Sequence, residues 1–317
     1  MSQPVVFISK DFFIHFCKTK DTPTNDIERK KIILFFEELI FYKATIHINI
    51  DEAEIINYQK IEKISELSED EKIFYIYFKI ILNQNRPRSC KKEFAIFSNK
   101  KYTEYDTLLV KPNYILSSFH TDFCKEIEKE FGVICISKEL NYKECSARVA
   151  VEVIESNKPI DLLHFTKEYP VCNSLIIEDP YLFENDKQGE FINVLLKALL
   201  PQNLKVQLIV TLISVKDRIT NIELDKMREN LGKGYTNVKI EIYHRSSMYL
   251  HDRNIYSNTF WLSCDYGFKK KYTTATKWTI FPLAIYYPEY LKRKQESIKF
   301  IKNEKIKSEN YLVNNER

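Results

Sequence analysis

The chain has 317 residues, 44% of them hydrophobic and 14% aromatic, with only 5 Gly and 10 Pro. That is enough length for about two domains, and the composition excludes a disordered, collagen-like or loop-built protein. Forty-eight basic and 44 acidic residues leave a net charge of +4, a mixed-charge surface that does not by itself establish nucleic-acid binding.

The cysteines, Cys17, Cys90, Cys124, Cys135, Cys145, Cys172 and Cys264, are odd in number and form no CxxC pair. Most have apolar neighbours, as Cys135 does between Ile134 and Ile136. They read as buried free thiols of a reducing compartment. The first residues lack the charged start and apolar run of a signal peptide, and no run of about 18 apolar residues is present. The expectation is a cytoplasmic protein without a transmembrane segment.

In chain order, Val5 to Ile8 is a short apolar run suited to a buried strand. Ser9 can cap a helix through Phe12, Phe13, Phe16 and Cys17. Asp26 to Tyr42 has apolar residues dense enough to bury one broad helical face. Thr45 to Ile50 alternates as a strand, and Asp51 and Ser68 can each open a helix. Asn83 to Arg88 is a polar loop. Glu93 to Phe97 and Thr107 to Val110 read as strands, Ile115 to Phe131 as a helix stopped by Gly132, and Val133 to Ser137 as a strand. Ser146 to Glu155 is expected to be helical. Ser156 to Pro159 marks the best boundary, giving a mixed α/β domain over 1–155 and a second domain over 156–317. Asp11, Glu37, Asp106 and Asp122 could form a carboxylate cluster for metal, but nothing in their spacing requires it; solvated or capping carboxylates are the alternative.

The second part is more regular. Ser174 to Tyr181 is an apolar strand ending in acidic residues and a proline; Pro180 stops it, with Asp179 at its C-terminal end, the edge where α/β proteins gather their sites. Glu190 to Leu200 is an amphipathic helix, Lys205 to Ile213 a strand covered on both faces, Asn221 to Leu231 a helix and Lys239 to Tyr243 a third strand. Strands alternating with helices indicate a βαβαβ unit with a parallel sheet. Trp261 to Gly267, Thr273 to Thr276 and Trp278 to Phe281 then read as antiparallel strands, followed by a helix from Pro288 to Ile301 and a polar tail.

Between the third strand and the antiparallel part lies Tyr249 to Asn258. His251 and Arg253 are two apart, so in an extended segment they face one side. An imidazole can attack phosphorus or move a proton, and a planar guanidinium can hold phosphate oxygens. The pairing suits an anionic phosphodiester; a surface strand start with ordinary charges is the plainer reading. Asp252 points the other way and would serve as a turn cap or ion-pair partner. His244 and His164 have no matching neighbours.

His251, Asp252 and Arg253 with Asn258 resemble the HxK-x4-D motif of the phospholipase D superfamily, in its bacterial HDR variant. The order of strands and helices over 173–301 agrees with one half of that fold. Tyr249 to Phe268 is most similar to the phospholipase D-like C-terminal domain of MIT-domain proteins. The resemblance implies His251 as the nucleophilic or proton-transferring residue, Arg253 in the place of the phosphate-binding lysine and Asn258 at the aspartate position. Tyr266 and Gly267 fall near the family's Gly-Ser pair, and Thr273, Thr274 and Thr276 are the available hydroxyls. Arg is not geometrically equivalent to Lys, and Asn258 carries no charge to orient an imidazolium. The MIT-associated relatives are understood as binding modules, and related HDR domains occur in phage-defence settings.

The family mechanism uses two histidines across one site, and this chain supplies one such motif. A catalytic version therefore implies a homodimer with two His251 side chains across a twofold axis. It needs no metal or other cofactor. The substrate it implies is nucleic acid, met by Lys269 to Lys271 and Lys292 to Lys294; both runs also read as solvated charge. The alternatives are a catalytically silent module binding a protein, nucleic acid or a phospholipid headgroup, and a two-part adaptor whose first domain engages a protein partner. Tyr58, Tyr75, Tyr77 and Tyr102 would suit such an interface, and suit an aromatic core better.

Overall fold

Two β-sheets take up the chain one after the other. The computed structural model describes residues 3–84, 87–139, 153–156, 171–185, 189–215, 226, 229–230, 237–245, 253–264, 267–268, 276–282 and 290–303. The first sheet contains β1 (Val5–Ile8), β2 (Thr45–Ile48), β3 (Pro87–Ser89), β4 (Tyr114–Ser117) and β5 (Ile134–Ser137), in the order β3-β2-β1-β4-β5. All its pairings are parallel.

Side chains alternate along β1, so Val6 and Ile8 face one layer of helices and Phe7 the other. On the first face pack α1 (Lys10–Thr19), α2 (Ile27–Glu38), a π-helical turn (Leu39–Lys43), α3 (Glu52–Gln59) and α4 (Glu69–Leu82). On the second pack α5 (Lys91–Ser98), α6 (Tyr102–Asp106) and α7 (Thr121–Phe131). The Ser9 hydroxyl accepts from the Phe12 N–H at the start of α1. Ser68 and Glu71 form a reciprocal capping box on α4, which satisfies two otherwise orphaned donors. β3 starts at Pro87 on the sheet edge, where a missing N–H is tolerated.

Several local expectations are corrected; the polar loop expected to run to Arg88 gives way to strand β3 at Pro87. Residues 93–97 belong to helix α5, because Phe94 and Phe97 lie on one helical face over the sheet; a short apolar run does not separate strand from helix. Residues 107–110 form no strand, and Leu109 is fully exposed. Residues 114–117 are strand and not the start of the following helix. β4 is buried on both faces and so carries no alternation to betray it.

The second sheet contains β6 (Val153–Ser156), β7 (Ser174–Glu178), β8 (Leu208–Val215), β9 (Val238–Arg245), β10 (Asn254–Ser257), β11 (Phe260–Cys264) and β12 (Thr276–Pro282). Its order is β6-β12-β11-β10-β7-β8-β9. β7, β8 and β9 are parallel neighbours, as the strand–helix–strand reading requires, and the other pairings are antiparallel. The protein is thus α/β, with a parallel first sheet and a mixed second sheet. Residues 153–156 are a strand where a helix was expected, and residues 146–152 lie outside the described part. β6 pairs with β12, so the second sheet takes up the chain just before the division expected at 155/156.

α8 (Leu182–Asn185) and α9 (Glu190–Leu199) cover one face of this sheet through Phe183, Leu195, Leu196 and Leu199. Helix α10 (290–303) covers the other through Tyr290, Ile298 and Ile301, against Ile176, Ile213, Tyr256 and Trp261.

The two sheets meet at the N-terminal ends of their parallel strands. The Lys205 N–H donates to the Glu130 carbonyl (2.8 Å) and the Gln207 N–H to Asp106 Oδ1 (2.8 Å). Val206 is fully buried in the first lobe's core beside Phe97, Tyr105 and Phe131. Gly132, left-handed at φ 64°, ends α7; a Cβ there would stand 2.5 Å from the Cys172 carbonyl oxygen. Glycine is needed both for the helix stop and for the close approach of the second lobe.

Candidate functional site

The C-terminal ends of β7, β8 and β9 lie on the edge remote from this junction, and Arg253 reaches the same edge from the start of antiparallel β10. The Arg253 carbonyl accepts from the Cys264 N–H (3.0 Å), which closes the β10–β11 ladder there. Its side chain is 22% exposed, and its Nε lies 3.9 Å from Oδ1 of the fully buried Asp179. The guanidinium carbon is 5.5 Å from the centre of the Tyr181 ring, within cation–π range.

Asp179 is tied on both oxygens. Oδ1 accepts from the Tyr181 N–H (2.8 Å) and Oδ2 from the Phe268 N–H (2.7 Å). Gly267, at φ 83°, closes the fourth side; a Cβ there would stand 2.8 Å from Asp179 Oδ2 and 3.3 Å from Arg253 Nε. Cys264 Sγ donates to the Gly267 carbonyl (3.2 Å), which holds this segment against the end of β11. A buried carboxylate needs a cation and donors around it, and Arg253 with two backbone N–H groups supplies them. Chemically, the arrangement places a partly exposed guanidinium against a buried carboxylate and an aromatic face.

His251, Asp252, Lys269, Thr273 and Thr274 lie outside the described residues, as does Tyr266. Asn258 is not brought to Arg253. Five residues of extended chain separate them, about 17 Å, and Asn258 sits in the β10–β11 turn at the lobe junction. Its Oδ1 accepts from the Asn173 N–H (2.8 Å), its Nδ2 donates to the Gly132 carbonyl (2.9 Å), and its own carbonyl accepts from Asn113 Nδ2 (2.7 Å). Asn173 Nδ2 continues the network to the Tyr105 hydroxyl (2.7 Å).

His244 is on β9, three strands from β10 through β8 and β7, roughly 14 Å away at ordinary strand spacing. It stands edge-on to Phe183, with ring centres 6.0 Å apart, a packed position and not a second histidine beside Arg253. His164 lies outside the described residues. Of the basic run 292–294, only Lys292 is exposed. Arg293 stacks on Trp261 at 5.0 Å. Lys294 Nζ donates to the Tyr290 hydroxyl (2.6 Å) and the Ser257 carbonyl (3.2 Å). Burial lowers the Lys294 pKa to about 8.

The back face of the same sheet edge holds a separate polar group. Buried Glu178 accepts from the Ser297 hydroxyl and lies 3.6 Å from Arg245 Nη1. Beside it, Asn254 Oδ1 accepts from Trp261 Nε1 (2.9 Å).

Among the described residues, no group of three or more His, Cys, Asp and Glu side chains could hold a metal ion. Asp11 and Asp122 are exposed, Glu37 pairs with Lys20 at 3.3 Å, and Asp106 accepts from Gln207 at the junction. The described cysteines are all buried and free. Tyr58, Tyr75, Tyr77 and Tyr102 belong to the first lobe's cores. No described helix is long and apolar enough to cross a membrane.

The sequence placed Asp179 at the C-terminal end of its strand, where the structure has it, but did not join it to Arg253 or single out Tyr181. The available signals were the Asp-Pro-Tyr sequence ending an apolar strand and a glycine shortly after the Arg253 hairpin, in a chain with only 5 glycines.

No protein-family model matches the chain, and no curated protein matches it. Among solved structures it is similar to Nuc, a phospholipase D family member from Salmonella typhimurium, at 13% identity and TM-score 0.32, over 48% of this chain and 95% of that one. It is also similar to yeast tyrosyl-DNA phosphodiesterase, at 15% identity and TM-score 0.25, over 41% of this chain. The matched part spans 32% of that chain.

Proposed function

We propose that the protein binds a phosphodiester at the C-terminal edge of its second sheet and cleaves it without metal, as a phospholipase D-like nuclease acting as a homodimer. The observation that carries this reading is the Arg253 guanidinium, held at that edge by a buried carboxylate two residues after His251. In this reading Arg253 binds the non-bridging oxygens, with Lys269, Thr273 and Thr274 as further phosphate contacts. His251 attacks phosphorus, displacing the leaving oxygen, which takes a proton from His251 of a second chain. Water then releases the phosphoryl group from the first imidazole. The first lobe takes the part of a partner-binding module, in a cytoplasmic defence effector of the kind the motif resemblance implies.

The experiment is cleavage of single- and double-stranded DNA and RNA in EDTA, comparing wild type with His251→Ala and recording solution mass on the same samples. EDTA-resistant cleavage by a dimer, reduced at least about a hundredfold in the variant, is the expected result. Cleavage that requires metal and survives His251→Ala would overturn it.

A second reading is a catalytically silent module that recognises a phosphate group on nucleic acid, on a lipid headgroup or on a protein. It is favoured by Asn258, whose side chain is spent on Asn173 and Gly132 instead of facing Arg253. Binding without cleavage, lost on Arg253→Ala, would select it.

A further inference from the structure

We propose that Asp179 is the positioning residue for Arg253: its buried carboxylate orients the guanidinium by charge across 3.9 Å, and Gly267 leaves the room for the two groups to approach. The inference rests on Arg253 being the phosphate ligand, and goes beyond that reading by naming what makes the arginine competent. Three observations carry it. Asp179 is 0% exposed, yet both of its oxygens are held by backbone N–H groups from two separate segments, Tyr181 after β7 and Phe268 after β11. The carboxylate therefore has one position, set by two strands of the sheet. Second, Arg253 approaches it with Nε, the nitrogen nearest the chain. At 3.9 Å this is an ion pair longer than a hydrogen bond, and a lysine carries no charge so near the chain. Third, Gly267 lies so close that a Cβ would enter the space of both partners. The motif's own acidic position is occupied by the neutral Asn258, which is engaged at the far end of β10. Asp179 brings a carboxylate to the arginine from elsewhere in the chain.

Positioning is measurable without substrate. In a 1H–15N spectrum of the full-length protein, an Nε–H resonance identified by its loss in Arg253→Lys should stand apart from those of solvated arginines. In Asp179→Asn it should move to the solvated position while the backbone spectrum stays folded. An Arg253 resonance unmoved by Asp179→Asn overturns the proposal.

The second measurement is binding of a fluorescein-labelled single-stranded DNA by anisotropy. Asp179→Asn should weaken it about tenfold, and should add nothing in an Arg253→Ala background, because Asp179 acts through that side chain. Additive losses would overturn the proposal and make Asp179 merely structural. Should Asp179→Asn not fold, Gly267→Ala leaves both charged groups chemically intact and should displace the same resonance; an unmoved resonance there overturns the proposal too. The two failures are distinguishable. If wild type and Arg253→Ala bind the DNA equally while the resonance still responds to Asp179, positioning stands and the nucleic-acid reading falls. If Arg253→Ala abolishes binding and Asp179→Asn changes neither resonance nor affinity, the reverse holds.

Discussion

At the scale of single residues, the molecule holds one basic side chain at each end of β10. Arg253 meets Asp179 at one end, and Lys294 meets the Ser257 carbonyl and the Tyr290 hydroxyl at the other. Lys294 has no carboxylate among these partners, and burial brings its pKa down from 10.5 to about 8. Between pH 8 and 10.5 the unfolded chain then binds more protons at this site than the folded one, so folding stability rises with pH across that window. Below pH 8 both states carry the proton, and the desolvation cost is fully present. Urea denaturation at a series of pH values from 7 to 10.5 should show this rise, and Lys294→Met should flatten it. A slope unchanged in the variant would assign the effect to other groups. The same scale shows why Asp179 was only half legible: its place at a strand end follows from Pro180, but no local pattern links it to an arginine on a strand much later in the chain.

At the scale of elements, the β10–β11 hairpin does two jobs. Its open end carries Arg253, and its turn carries Asn258. The turn is built by Ser257, whose Oγ accepts the N–H groups of Thr259 and Phe260 at 2.9 and 2.7 Å, the local side-chain bonding that favours serine in turns. Asn258→Ala removes a bond to each of two lobes and should cost roughly 1–3 kcal/mol in urea denaturation. Asn258→Asp adds an acid at this position but sets a carboxylate oxygen against the Gly132 carbonyl. It should be destabilising and bring no gain in cleavage or binding; a gain in either would mean that the side chain can leave the junction. β7 and β8 were legible as bounded, nearly continuous apolar runs, and β9 from the alternation of Val238, Ile240 and Ile242 with Lys239 and Glu241. α4 was legible from Ser68 and Glu71. Residues 114–117 were not, because burial on both faces erases the alternation, and 91–98 were not, because a short apolar run within them fits helix and strand alike.

At the scale of the whole molecule, the two lobes share structure at their interface. Leu204 and Val206 precede β8 yet pack among Phe97, Tyr105 and Phe131 of the first lobe. The composition shift at 157–159 marks the sequence well, but it does not mark independence, because no sequence pattern identifies Val206 as a core residue of another sheet. Residues 1–152 and 153–317 expressed apart should each lose cooperative thermal unfolding or melt well below the full chain. Either piece melting at the full chain's midpoint would show that the shared core is dispensable.

Both sets of parallel strands begin at this junction and run away from it. If two chains met at their Arg253 edges, each junction would lie about 17 Å behind its own site, and the first lobes beyond it. The pair would be an axle with a wheel at either end, the two first lobes standing at poles more than roughly 30 Å apart.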